Sequence, residues 1–305
     1  MTKKESIGGQ AVIEGVMIRN QTHYAVAVRK GKKIITKKTR IKQRKSKILK
    51  LPIARGFINM VDMLVIGMKT LMWSADQAAD EDDKITKGQF AFTIGVSFLI
   101  AILFFVALPY FLTTIIGFKE ESSPFAFNLV DGIIRILVFL AYIITISFMK
   151  DVRRLFQYHG AEHMSVHCYE HNKKLTIENI RKYQTLHPRC GTSFIMIVLI
   201  ISILVFSVLP SLVIYLFPNF IGLNIFLRKI ILFFLRISFI PLIAGISYEL
   251  LKLSDKFQGN PLINLLIKPG LWLQKITTQK PSKKQIEVAK ASVEALLSSK
   301  KAKNI

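Results

Sequence analysis

The chain has 305 residues, 51% of them apolar, a mean hydropathy of +0.39 and a formal net charge of +24. That balance excludes an ordinary soluble protein built around one aqueous core, because the apolar residues gather in two pairs of long runs while the charge sits at the termini and in the middle. It describes a membrane protein with basic flanks.

The first fifty residues are hydrophilic and lysine-rich, with no early apolar stretch before a small-residue cleavage site, so the first spanning segment is expected to direct insertion itself. Residues 7–38 show short β-branched runs separated by Arg19 to Thr22 and by Lys30 to Lys33, the pattern of a small β-meander. Gly8, Gly9 and Gly15 suit turns and bulges, and less often a close backbone approach to a ligand.

From Lys37 to Lys50 the chain reads KKTRIKQRKSKILK with no acidic residue. Anionic lipid headgroups attract such a run by about 1 kcal/mol per basic side chain, so the bilayer surface is the expected partner. Nucleic acid is a less favoured partner, because no aromatics interleave the charges to stack on bases. Residues 51–80 then form an amphipathic helix, with Pro52 suited to its first turn and Asn59, Asp62 and Lys69 breaking the apolar pattern. It is expected at the interface or against the bundle, stopped by the acidic DEDDK at 80–84.

Four spans are expected. Residues 89–116 carry no charge over 28 positions, with Pro109 as a kink, and residues 129–149 carry Asp131 and Arg135 at a helical pairing distance. Residues 192–217 and 226–248 complete the set; Arg228 and Lys229 can snorkel, whereas Arg236 lies too deep. An arginine there costs at least about 2.5 kcal/mol and must face protein or water, with Asp131 a candidate partner in structural glue rather than a transport path.

Lys and Arg number 19 in residues 1–87, 8 in 150–191 and 11 in 249–305, against Lys119 alone in the opposite loops. The positive-inside rule therefore places both termini and the middle loop in the cytoplasm of a bacterial cell, with the chain multi-pass in its membrane. The expected fold class is a mainly α membrane protein: a four-helix transmembrane bundle with a small N-terminal β-rich region and interfacial amphipathic helices. Its parts divide as 1–50 (basic, β-rich), 51–87 (interfacial helix), 88–149 (spans one and two), 150–191 (His/Cys loop), 192–248 (spans three and four) and 249–305. In the last part Trp272 marks a membrane-surface anchor over 260–276, and Ile286, Ala289, Val293 and Leu296 give 283–298 an amphipathic docking face.

Residues 158–193 hold five of the six histidines and both cysteines. His159, Glu162 and His163 fall as H-x-x-E-H, which on a helix sets two imidazoles one turn apart with the carboxylate beside them. Zinc prefers such ligands, so a divalent transition metal is the expected cofactor. His187 and Cys190, or Glu170 and His167, are candidates to complete the shell, with Cys168 as a further thiol. Reduced cytosolic thiols favour a metal or structural role for the cysteines over a disulfide. Gly160 and Val166 weaken the helix, so the chain from His167 onward is expected to enter a turn. Thr176 can cap a helix at 177–185, and Cys190, at the positive end of the third span, is expected to lean toward thiolate. Glu162 is the candidate general base. Against this stands a reading without metal, in which the histidines meet lipid phosphate and the cysteines are small hydrophobes; His171 and the isolated His23 belong to it.

GGQAVIEGVMIRN at 8–20, YHGAEHMSVHCYE at 158–170, HPRCGTSF at 187–194 and PGLWLQKITTQKP at 269–281, in this order, resemble the bacterial YqhQ family over essentially the whole chain. The resemblance implies a multi-pass membrane protein and a metal-dependent enzyme, with His159, Glu162, His163, His187 and Cys190 as its site. Two functions follow as expectations: a metal-dependent enzyme, hydrolytic, at the cytoplasmic membrane face, or a non-catalytic membrane scaffold that recruits a partner through its basic regions. A transporter is a weaker third, since four spans with one deep charge offer little for a pathway.

Overall fold

The computed structural model describes residues 5–42, 51–79, 86–120, 122–257 and 260–298. Residues 43–50 of the basic run and the acidic stop at 80–84 lie outside them. The protein is mostly helical and begins with a small antiparallel sheet, β1 (Gly8–Val12), β2 (Gly15–Arg19), β3 (His23–Lys30) and β4 (Lys33–Arg40), paired in sequence order. The expected meander is there, with a further tight turn at Ile13 and Glu14 that the glycines on either side do not announce.

Alternation along the strands gives the sheet two apolar faces. Val16, Ile18, Ala25 and Ala27 point to one core and Val12, Met17, Tyr24, Val26 and Val28 to another. The second face is covered by α1 (Ala54–Ala78) through Ile66, Met63 and Trp73. The first is covered by α5 (Lys150–Glu170) and α10 (Lys283–Leu297), the latter through Ile286, Ala289, Val293 and Leu296. Ser292 on that face donates to the Ala25 carbonyl at 3.1 Å, so the last helix of the chain lies directly on its first sheet.

Between these parts run α2 (Lys87–Ile102) and α3 (Leu108–Ile115), joined by a π-helical turn over Leu103–Ala107, then α4 (Pro124–Ser147), α7 (Gly191–Leu216) and α8 (Ile225–Lys256). The proline at 109 cannot donate to the ladder and its ring crowds a carbonyl one turn earlier; the widened turn just before it is how the helix absorbs that. A short α6 (Ile177–Ile180), capped by Thr176 as expected but ending five residues early, and α9 (Pro261–Thr277) complete the chain.

Five helices are long and apolar enough to cross a membrane: α1, the continuous stretch Gly88–Ile115, α4, α7 and the Ile225–Ser254 part of α8. The inclusion of α1, at mean hydropathy 1.2 against 2.2 to 3.0 for the others, departs from the expected four. Deep charge is handled locally. Asp131 pairs directly with Arg135 at 2.7 Å, whereas Arg236 binds Asn128 Oδ1 at 2.8 Å, lies 3.6 Å from Glu120 and reaches the expected partner Asp131 through its charge alone.

Helices α7 and α9 cross at Gly270, where an added Cβ would sit 2.6 Å from Ser193 Cα. Only hydrogen fits, because the obstacle is backbone. We expect Gly270→Ala to lower thermal stability by about 1–3 kcal/mol, as overpacking does. In scanning fluorimetry Gly95→Ala, whose added Cβ meets nothing within 4 Å inside α2, should leave the melting midpoint the same or slightly higher; equal effects of the two would contradict the crossing.

Candidate metal centre

The helix that carries H-x-x-E-H is longer than expected. It begins at Lys150, with Asp151 in the first turn complementing the helix dipole, and continues through His167 to Glu170. It stops in a Schellman motif: Asn172 adopts φ 58°, Lys173 N–H bonds the Cys168 carbonyl at 3.1 Å and Asn172 N–H the Tyr169 carbonyl at 3.0 Å. Tyr158, Ala161, Met164 and Val166 join the sheet and α10 in one core, which holds the helix despite Gly160 and Val166. Gly160 has its own reason, since an added Cβ would collide with the Gln279 carbonyl of the chain between α9 and α10.

His159, His163 and His167 fall one turn apart and face residues 185–190. Their ligand atoms sort into two groups, each within 4.8 Å: His159, His163 and Cys190, and His167, Glu170 and His187. His187 therefore does not join the first group as expected, although its ring centroid is 5.5 Å from that of His163. Cys168 belongs to neither. It is fully buried in the sheet core, its Sγ 3.5 Å from the Lys174 carbonyl, because position 168 is rotated off the face that 159, 163 and 167 share. Neither cysteine is in a disulfide. His23 starts β3 beside Thr22, and His171 caps back onto the His167 carbonyl at the surface.

The two groups differ in what their nitrogens are doing. His159 Nδ1 donates to the Thr277 carbonyl at 2.9 Å and His163 Nδ1 to the Thr185 carbonyl, which fixes both rings as Nε2 lone-pair donors. His159 Nε2 lies 3.3 Å from Cys190 Sγ, and His163 Nε2 lies 3.4 Å from a Glu162 oxygen. This is the arrangement of metal-binding histidines, each ring oriented through its far nitrogen. In the second group His167 is likewise held by a carbonyl, its Nε2 donating to Leu186 at 2.8 Å, but His187 Nδ1 accepts from Arg189 N–H at 3.2 Å and its Nε2 is 3.3 Å from Glu170 Oε2, while Arg189 also grips Glu170. An arginine already holds that carboxylate. The second group is an ion-paired network that shapes the 185–190 segment.

Burial sets the charge states. Desolvation lowers the pKa of His159 and takes that of His163 well below the usual value, so both are neutral imidazoles at pH 7. Desolvation pushes Cys190 up to about 11, outweighing the bonds from Thr192 that stabilise the thiolate. The expected thiolate is thus a protonated thiol, because loss of water costs more than the helix terminus returns. Glu162 is pushed up to about 7 by desolvation, against the opposing pull of His159 and a hydrogen bond from Gly9 N–H.

Gly9, Thr185, Gln274 and Thr277 have no part in the ligand pattern, yet they build the site. Gln274 on α9 accepts from His187 N–H at 2.8 Å and donates to the His187 carbonyl at 2.9 Å and Ser193 Oγ at 2.7 Å. It is fully buried, a polar side chain clamping the segment that delivers Cys190. Segments 8–20, 158–170, 187–194 and 269–281 therefore meet here, and that separate order in sequence was their only common sign.

Among known proteins, a family described as "Protein of unknown function (DUF1385)" matches residues 51–299. The chain is 34% identical to "Uncharacterized protein YqhQ" of Bacillus subtilis (strain 168) across 95% of its own length and 92% of that protein's. No solved structure matches it.

A buried carboxyl with a raised pKa holds its proton more tightly folded than unfolded, so it costs stability progressively as pH rises from about 4.5 toward 7 and fully above that. We expect metal-free Glu162→Gln to be near wild type in stability at pH 5 and about 2–3 kcal/mol more stable at pH 8, since glutamine keeps the acceptor for Gly9 without the charge. Thermal melts with chelator at the two pH values measure this; a pH-independent difference would contradict the buried acid.

Proposed function

This chain belongs to the DUF1385 family of YqhQ-like proteins, and on that premise we propose that it is a multi-pass membrane enzyme, metal-dependent and hydrolytic, working at the cytoplasmic face. One observation carries the reading: two neutral imidazoles with Nε2 aimed inward and one cysteine sulfur converge within 4.8 Å, beside a carboxyl whose pKa is about 7. Three protein ligands are the number that catalytic zinc sites use, the fourth position being left for water or substrate. The donor set of imidazole and thiol fits zinc.

When bound, such an ion supplies Lewis acidity and brings a water's pKa toward neutrality. The chain's own residues do the rest. His159 and His163 are held in the ligating tautomer by the Thr277 and Thr185 carbonyls, and Cys190 gives up its proton to balance the incoming charge. Glu162 takes a proton from water and returns it to a leaving group, a task for which a pKa near the working pH is suited. Gly9 N–H orients its carboxylate.

Four spans, not five, support this placement. α1 ties its first turn to the end of α8, through Arg55 to Glu249 at 2.7 and 2.5 Å and through Gly56 against Gly245 and Tyr248, and lays its later turns on the sheet. If α1 crossed the bilayer, the sheet and α10 would lie on opposite sides, yet they share a core. The basic flanks support a cytoplasmic position for that core and for the site on its edge.

Elemental analysis of protein purified from metal-replete cells should find about one transition metal per chain, lost in His163→Ala and in Cys190→Ala and kept in His167→Ala. Glu162→Gln should keep the metal and fail to rescue a deletion strain. A metal-free wild type, or full rescue by Glu162→Gln, would overturn the reading.

A further inference from the structure

A second site lies on the other side of α5. A cleft of about 520 Å³ opens between the first turns of that helix and the start of α10, lined by Arg29, Lys150, Arg153, Arg154 and Lys284, with Asp151 the one acidic residue on its wall. Much of this positive charge is unspent. Arg154 is paired with Glu14 and Arg29 with Glu287, but the side chains of Lys150, Arg153 and Lys284 have no ion-pair partner among the described residues. Arg29 is largely buried, only 13% of its side chain exposed, and its Nε has no hydrogen-bond partner among the described residues. Its Nη2 donates to Glu287 at 2.8 Å and to the Lys284 carbonyl at 3.0 Å, which fixes its charge at the root of α10 beside the cleft.

The backbone adds to this. Ser282 caps α10, its Oγ accepting from Gln285 N–H, while the amides of Lys283 and Lys284 have no carbonyl one turn back to bond. Ser282, Lys284 and Gln285 line the cleft, so the positive end of a 15-residue helix faces the same space as the basic side chains. Several guanidinium and ammonium donors around a helix N-terminus match the charge and acceptor number of a phosphate group. Tyr158 and Gln157 close the back of the cleft, engaged with Glu14 at 3.2 Å and with Gln285 at 2.9 Å.

We propose that this cleft binds a phosphate group, carried by a lipid headgroup or by a soluble ligand. Its position suits a headgroup. α4 ends at Ser147 and α5 begins at Lys150, so the basic turn follows a membrane-length apolar helix after two residues, Phe148 and Met149, that are 79% and 56% exposed. The site is separate from the metal centre: Tyr158 is buried on the cleft side and His159 on the other, about 100° around the helix.

The test uses the full-length protein in uncharged detergent, titrated calorimetrically in two arms. One arm takes inorganic phosphate and glycerol phosphate; the other takes short-chain phosphatidic acid, with the matching phosphatidylcholine as a blank. Saturable binding in the lipid arm alone identifies a headgroup site, in the soluble arm alone a free-phosphate site, and in both a site that reads the phosphate itself. The exposed triple Lys150→Ala, Arg153→Ala, Lys284→Ala should weaken binding by about tenfold or more, as loss of charge-assisted bonds does, with the melting midpoint kept. The equally charged triple Arg40→Ala, Lys173→Ala, Lys174→Ala, at the far ends of β4 and α5 from the cleft, should not change it. No saturable binding in either arm, an unaffected cleft triple, or equal loss in the control triple would overturn the proposal.

Discussion

Two hydrogen bonds from imidazole to backbone carbonyl, His159 to Thr277 and His163 to Thr185, are what the rest of the site depends on. Histidines on a buried helix face cannot stay charged and cannot leave an N–H unpaired. Giving each Nδ1 proton to a carbonyl solves both problems and leaves each Nε2 with a lone pair pointing the same way. The carbonyls come from two distant parts of the chain, the segment after α6 and the end of α9. The fold must therefore bring both to α5 before the centre exists.

Much of the architecture can be seen as meeting that requirement. The sheet and α10 bury the apolar side of α5, which frees its polar side to face residues 185–190. Gln274 then locks the 187–193 segment to α9, and Gly160 and Gly270 permit the two backbone approaches that bring α9 close to both α5 and α7. Cys190 sits where the segment turns into α7, so its sulfur is placed by the start of a long apolar helix. The site stands where the core of sheet, α5 and α10 meets the long apolar helices, and it draws precision from both.

The fold was legible wherever one periodicity dominated. The alternating residues of 7–38, the uncharged run of 89–116 and the stripe Ile286, Ala289, Val293, Leu296 each state their element directly. α1 was harder, because Asn59, Asp62 and Lys69 lower its apolarity without removing it, and its place is decided by contacts with the sheet and α8 that no local pattern encodes. The ligand types in 158–193 were legible as a cluster. Their division was not: that His187 turns to Glu170 rather than to Cys190 depends on Arg189, and a guanidinium's choice of carboxylate is a tertiary fact. Cys190 as a protonated thiol was missed for a similar reason, since burial is invisible in a sequence and here outweighs the helix terminus. Gly9 and Gln274 were legible only as members of segments that carry a family resemblance.

X-ray absorption at the edge of the metal that co-purifies with the full-length protein tests the central claim most directly. The account predicts a shell of one sulfur at about 2.3 Å and two imidazole nitrogens at about 2.0–2.1 Å with a light fourth ligand, the sulfur disappearing in Cys190→Ser. A shell without sulfur, or one unchanged in that variant, would mean that His159, His163 and Cys190 do not hold the ion.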